Sequence, residues 1–410
     1  MGLRHGKEFS IVLSAVLMKC VGIWFADNRS EQRLRSGTLI YTIIAIVFGV
    51  WVQVEDLFHS WDDFGARTYI ACNILCLNIA LFKIFVISLQ KKKFLDLVEY
   101  MDRNFWHSNY APYEQLIFIS WKRTCTYFIC IFTVFTEASI MCYAIRPIVA
   151  NIGKNDSDRI LPFNMWIDLP WTITPYFEIT FVLQVLSLYH VGVCYICCDN
   201  FMCIMNLHVA GQFRILQNRL KNMHRLESEK EKHENWKNCS LKSGEKDYYT
   251  FKSYVQQHQA LIAYCAGLEQ IFSPIVLAQV LTFSMLICFV GYQAILVNVA
   301  FTRRIIFVNL LTSSMCQLLM FTYSCDCLIR ESAAISPAAC AVPWTKFPMD
   351  QFGKLFRKDL QLVLMRARRP CCLTANKFFA VSLETYTSVL STAMSYFTLL
   401  KQNSSRISDS

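Results

Sequence analysis

Apolar positions along the chain gather into long blocks separated by charged segments. Seven windows, roughly Thr38–Val54, Tyr69–Leu89, Thr124–Ile145, Phe177–Met205, Ile271–Ala300, Ile305–Leu328 and Phe378–Leu400, are apolar enough to cross a bilayer. Crossing takes about 20 helical residues. The expected fold is therefore an all-α membrane protein with seven transmembrane helices. Phe9–Phe25 is shorter, broken by Lys19 and followed by charge; it reads as an interfacial or re-entrant helix, not a span or a cleavable signal. Helical periodicity runs on past the fourth window, where Val209, Phe213, Leu216, Leu220 and Met223 step by four and three. A second stripe, Met349, Phe352, Phe356, Leu360 and Val363, precedes Pro370. Each stripe needs a partner, either elsewhere in the chain or on a second subunit.

Composition agrees with the pattern. Of 410 residues, 54% are hydrophobic and 17% charged, against about 25% charged in an average soluble domain. Many of the 19 cysteines lie inside apolar runs, where Cys behaves as a small hydrophobe. Cys194, Cys197 and Cys198 resemble a CxxC redox motif, but their apolar, helix-periodic setting favours packing.

Basic residues set the orientation. The segments 1–36, 90–126, 200–270 and 328–377 carry 31 Lys and Arg, and those on the opposite side carry 8. This bias places the N-terminus in the cytoplasm and, after seven spans, the C-terminus outside, the reverse of a G-protein-coupled receptor. The sequon Asn155-Asp156-Ser157 then falls in an outside loop. The expected organisation is a cytoplasmic segment 1–36, spans one to four in 37–205, a cytoplasmic helical extension 206–270, spans five and six in 271–328, a second extension 329–370, the last span in 371–402 and an outside tail 403–410. Because Lys230–Lys252 mixes Glu with Lys, no nucleic-acid partner is expected.

Catalytic signatures are missing. The chain has no Gly-rich phosphate loop, HExxH, GxSxG or Asp-rich calcium loop, and its eight histidines are scattered. No enzyme activity, metal or cofactor is expected.

The last window carries the most specific pattern. Thr374 is a candidate N-cap for a helix to about Leu400. Along it, Val381, Thr385, Ser388, Thr392, Ser395, Leu399 and Gln402 share one face, polar from Thr385 until a single leucine near the outer end. Such a face suits a water-filled path with a hydrophobic constriction or a Ser/Thr-mediated helix contact.

Phe378-Phe379, Ser382-Leu383-Glu384-Thr385 and Ser395-Tyr396-Phe397-Thr398-Leu399-Leu400 together resemble the C-terminal signature of insect odorant receptors. The Lys354–Pro370 stretch is similar too, and length, span number and inverted topology match over the whole chain. The related gustatory receptors end differently, closing on Gln-Phe where this chain has Gln402-Asn403. The resemblance implies an odorant-specific subunit of a ligand-gated, non-selective cation channel in the plasma membrane of sensory dendrites. Four subunits, some of them a common coreceptor, would surround a central pore, and the two extensions would belong to a cytoplasmic anchor. It also implies a pore lined by the Thr385–Gln402 face, with the gate at Leu399 and a polar position at Gln402. Asn403, where the coreceptor has leucine, argues against this being the coreceptor.

The family's odorant site lies in the outer half, between spans two, three, four and six. Orientation places Asn73, Leu77, Ser139, Ile140, Tyr143, Phe177, Phe181, Phe307 and Leu311 there. An aromatic-rich site of this kind would suit a small aromatic or otherwise apolar volatile; each aromatic is equally a candidate for core packing. Lys83, Glu137 and Glu384 are charges within the windows that need an account. Lys83 is expected to snorkel toward Lys91–Lys93. Glu137 lies deeper, where a carboxylate costs about 2.5–3.5 kcal/mol on insertion scales; it meets either a ligand's polar atom or Tyr and Ser neighbours. Glu384 either attracts cations at an inner vestibule or bonds a neighbouring helix. A gustatory-type channel and a G-protein-coupled receptor are the alternative functions.

Overall fold

The computed structural model describes residues 9–26, 28–106, 110–155, 159–166, 173–223, 240–295, 301–347 and 349–408. Its helices are α1 (Phe9–Val21), α2 (Arg29–His59), α3 (Phe64–Leu89), α4 (Lys91–Met101), α5 (Pro112–Ala150), α6 (Tyr176–Lys221), α7 (Ser240–Ile295), α8 (Phe301–Ala333), α9 (Ile335–Cys340), α10 (Gln351–Ala367) and α11 (Leu383–Ser408). Six of them, α2, α3, α5, α6, α7 and α8, are long and apolar enough to cross a membrane. The last, α11, is 26 residues long, enough to span at about 1.5 Å per residue, but one of its faces is polar.

The bundle is organised around α6. From Val191 to Phe213 every residue of this helix except Tyr195 is buried, because α1, α2, α3, α5, α7, α8 and α9 all pack against it. A helix enclosed on all sides has no solvent or lipid face on which to place a polar group, so each polar side chain it carries needs a partner within the chain. Gln212 Nε2 donates to the Tyr110 hydroxyl at 2.7 Å, and Asn206 Nδ2 donates to Ser324 Oγ at 3.3 Å. Trp106 Nε1 donates to His208 Nδ1 at 2.8 Å.

Asp199 is the most demanding of these groups, and Lys83 answers it. The Lys83 ammonium is fully buried, 2.8 Å from Asp199 Oδ2 and 4.5 Å from the centre of the Tyr195 ring. The expectation that Lys83 snorkels to the membrane edge is thus overturned. A counter-charge six to seven residues inside the window of span four offers a nearer partner than water does.

At 46 and 56 residues, α6 and α7 extend well beyond the roughly 30 Å hydrocarbon layer. Both apolar stripes find their partners within the chain. The five positions from Val209 to Met223 are buried. On α10, Phe356 meets Phe251 of α7 at 4.4 Å between ring centres, and Phe352 lies 6.0 Å from Tyr248; Met349, just before the helix, stays exposed. Ion pairs reinforce this region. Arg219 grips both oxygens of Glu114 at 2.6 and 2.9 Å and bonds Gln257 at 3.0 Å. Burial works to raise the Glu114 carboxyl, but the Arg219 contacts outweigh it and hold the group below the usual carboxylate range. Burial, with Arg366 adding to it, lowers the His258 pKa to about 4.

Pro274 lies inside α7 and cannot bond the carbonyl of Gln270; Gln90 Nε2 donates to that carbonyl instead, at 3.3 Å. The segment before α11 also differs from expectation. Thr374 does not cap a helix: it forms an isolated antiparallel bridge with Ala380, and the turn between them takes Asn376 and Lys377 to positive φ. Ser273 and Glu269 of α7 fix this turn, accepting from the Asn376 amide at 2.9 Å and the Thr374 hydroxyl at 2.7 Å. The helix starts only at Leu383, where Ser382 Oγ accepts from the Glu384 amide and Thr385 Oγ1 from the Ser382 amide. The described cysteines form no disulfide with one another, and Cys194, Cys197 and Cys198 are buried in the core.

Two outcomes follow for stability. Lys83→Met leaves Asp199 buried without a counter-charge and should cost about 3–5 kcal/mol. Thermal melting of the detergent-solubilised protein should show the loss, and Lys83→Met combined with Asp199→Asn should recover most of it. Because the folded His258 pKa lies below the unfolded value of about 6.5, its contribution is complete above that pH and declines as the pH falls toward 4. A His258→Phe variant should flatten that part of a melting-temperature profile.

Candidate functional site

A cavity of about 140 Å³ opens between α2, α3, α5, α6 and α8, at the end of the bundle away from the helical extensions. Small side chains on crossing helices leave the space: Ala45 and Gly49 on α2, Gly192 and Ser187 on α6, and Ser313 and Ser314 on α8. Close approach is real at Gly192, where a Cβ would meet Ile140 Cδ1 at 2.1 Å. Phe48, Val52, Leu77, Leu188, Val191 and Leu310 make most of the wall apolar.

Polar groups line the cavity in three places. On one wall the Tyr143 hydroxyl donates to Asn73 Oδ1 at 3.3 Å, and Asn73 Nδ2 donates to Gln53 Oε1 at 3.1 Å. On another, Thr136 and Ser313 share a hydrogen bond of 3.1 Å that ties α5 to α8. At the deep end stand Tyr195 and Gln317, the latter bonded to Asp199. Phe163, from the segment between α5 and α6, also lines the space. Gln184 holds its backbone at both ends, accepting from the Phe163 amide at 3.0 Å and donating to its carbonyl at 3.1 Å. Asp56 accepts from Asn164 at 3.2 Å and from Trp166 at 3.0 Å, and the Trp166 ring stacks on His59.

Of the nine side chains expected around a ligand, Asn73, Leu77, Ser139, Ile140 and Tyr143 line the cavity. The other four lie elsewhere. Phe177 and Phe181 pair at 6.0 Å near the start of α6, with the Arg159 guanidinium over Phe177. Phe307 is buried in a separate cluster with Cys72, Leu286 and Val290, and Leu311 packs at its edge. A rotation of about 100° per residue separates Leu311 from its cavity-lining neighbour Leu310. Sequence reasoning missed the wall formed by α2, the ring of Phe163 and the deep pair Tyr195 and Gln317. Gln53, Gln184 and Gln317, amides within apolar windows, were the available signal. Glu137 is half-buried and does not line the cavity.

On α11, Val389 and Ala393 are buried toward α7 and α8, and Phe397 approaches Gly291. Ser388, Thr392, Ser395, Leu399 and Gln402 lie on the open side, with Leu399 55% exposed. Thr385, expected to share their face toward a pore, is instead buried in the cap of the helix. No group of His, Cys, Asp or Glu among the described residues could hold a metal ion.

The sequence model described as 7tm odorant receptor matches residues 69–394, most of the chain. The chain belongs to the odorant receptor family. It is 23% identical to odorant receptor 13a of Drosophila melanogaster, with 96% of each chain covered. Odorant receptor 10 of Aedes albopictus is 23% identical, with 88% of this chain and 91% of the relative covered. The fold matches that of the insect olfactory receptor OR5 from Machilis hrabei in complex with eugenol, with a TM-score of 0.78, 13% identity, and coverage of 96% and 97%. Membership makes the protein a multi-pass membrane receptor of olfaction and not an enzyme.

The close approach at Gly192 offers a test of this cavity as a ligand site. Gly192→Ala forces the Ile140 side chain to turn, so concentration–response curves for activating volatiles should shift by at least about tenfold, the low end of one-methylene discrimination. Adding Ile140→Val should reverse part of the shift.

Proposed function

We propose that this receptor is the odorant-binding subunit of a heteromeric, ligand-gated, non-selective cation channel that works with a common coreceptor at the plasma membrane of sensory neurons. The observation that carries the reading is the pairing of an apolar cavity with a terminal helix whose polar side stands open. A space of about 140 Å³ is close to the roughly 150 Å³ of an apolar cavity that holds benzene. Its walls suit a small volatile, aromatic or otherwise apolar, with one oxygen for the Gln53–Asn73–Tyr143 wall. The binding set comprises Asn73, Leu77, Ser139, Ile140 and Tyr143, joined by Gly49, Phe163, Gly192, Tyr195 and Gln317.

Gating follows from population shift. A volatile that prefers the open arrangement moves the equilibrium by that preference alone. Ser388, Thr392, Ser395 and Gln402 then line a wet path, and Leu399 provides the dewetting constriction. The charge asymmetry of the loops supports a cytoplasmic position for the extensions, where they would anchor the subunits together.

Whole-cell current under a panel of volatiles, with G-protein signalling blocked, tests this. Fast current should appear only when the coreceptor is co-expressed, and Leu399→Ala should raise the resting current. Current without the coreceptor would favour a gustatory-type channel, and a response abolished by the block would favour a G-protein-coupled receptor.

A further inference from the structure

The buried carboxylate of Asp199 draws side chains from three other helices onto a single oxygen. Its Oδ2 accepts from Lys83 Nζ of α3 at 2.8 Å, from Gln279 Nε2 of α7 at 3.0 Å, and from Gln317 Nε2 of α8. A carboxylate oxygen offers two lone pairs, so three donors compete for two well-aligned positions. Gln279 Oε1, on the far side of its amide, is buried with no hydrogen-bond partner. The cluster therefore holds more donors than one oxygen can align and an acceptor left unmet, conditions under which more than one arrangement of the same groups lies close in energy.

Its position gives the competition a consequence. Gln317 and Tyr195 line the deep end of the cavity, and the Tyr195 ring lies against the Lys83 ammonium. Gln279 is on α7, and α11 packs on both α7 and α8. The cluster is thus in contact with the cavity on one side and with the helices that carry α11 on the other.

We infer that the Asp199 cluster is the coupling element of the receptor: what fills the deep end of the cavity selects which donors Asp199 keeps, and that choice sets how α7 and α8 hold α11. The inference rests on the proposed roles of the cavity and of α11. Lys83, Asp199 and Gln279 act as positioning residues, since they touch neither the cavity nor the open side of α11. A ligand that reaches Gln317 or Tyr195 stabilises one arrangement, and a ligand of equal size that stops short of them does not.

Gln279→Leu separates coupling from simple stability, because it removes one donor and the unmet carbonyl while leaving cavity and pore side chains in place. Gln293→Leu is the matched control: Gln293 is a buried amide of the same helix that bonds Thr68 and Gly65 of α3. Both variants are expressed with the coreceptor. Two quantities are read without ligand: resting current per surface-labelled receptor, and hydrogen exchange over residues 383–402 in lipid nanodiscs. Gln279→Leu should change the resting current by about two- to tenfold, the shift that one buried hydrogen bond gives in a two-state equilibrium. It should also alter exchange along α11. Gln293→Leu should change neither, whatever it does to melting temperature. Lys83→Arg, which keeps the charge and alters the geometry, serves as a second variant if Gln279→Leu fails to reach the surface. Wild-type exchange in α11 for both cluster variants, or equal effects of cluster and control, would overturn the inference. A wild-type receptor that carries no current would instead contradict the proposed channel function, and the exchange measurement would still decide the role of Asp199.

Discussion

A carboxylate on a helix with no outer face is the constraint around which this receptor is arranged. Asp199 can reach neither water nor lipid headgroups, because α6 is enclosed where it passes through the bundle. An unpaired charge there would cost several kcal/mol, so α3 has to present Lys83, and α7 and α8 have to present glutamines, at one level. Four helices are thereby fixed in rotation and in height. Apolar side chains then complete a packing whose register the polar groups have already chosen.

The cavity follows from the same register. Below Tyr195 the bundle is closed around α6; beyond it α6 carries Gly192, Ser187 and Gln184, and the helices no longer fill the gap between them. Gln184 and Asp56 hold the segment 163–166 across this end, so the space is bounded by rigid helices on its sides and a tethered segment above. The apolar walls favour transfer of a hydrocarbon skeleton from water at about 25 cal/mol per Å² buried. In the proposed binding role, affinity for a small volatile would come mainly from size and shape, with the few amides deciding orientation.

Much of this was legible in the sequence, and the parts that were not have a common cause. Hydropathy alone located the six helices long and apolar enough to cross a membrane, and period-3.6 stripes foretold that α6 and α10 would bury a face. The polar side of α11 was visible as a run of Ser and Thr at helical spacing. What sequence periodicity cannot supply is the rotation of one helix against another. Ser139, Ile140 and Tyr143 on α5 line the cavity, but on α8 the expectation fell on Phe307 and Leu311, which pack in a neighbouring cluster while Leu310 and Gln317 line the cavity. Long-range pairing was equally hidden. Lys83 and Asp199 are 116 residues apart, and each taken alone resembles an edge residue or an oddity. The cap of α11 was misplaced because Thr374 satisfies a local rule, while the turn at Asn376 and Lys377 is stabilised by Ser273 and Glu269, a hundred residues away.

The most direct test of the account is a cryo-electron microscopy structure of the receptor co-expressed with an odorant receptor coreceptor and saturated with an activating volatile. Density for the volatile is expected between Tyr143 and Tyr195, with Gly49 and Gly192 in contact, and Leu399 of α11 facing a central pore. Density at another site, with this cavity empty, or an α11 whose polar side faces lipid, would contradict it.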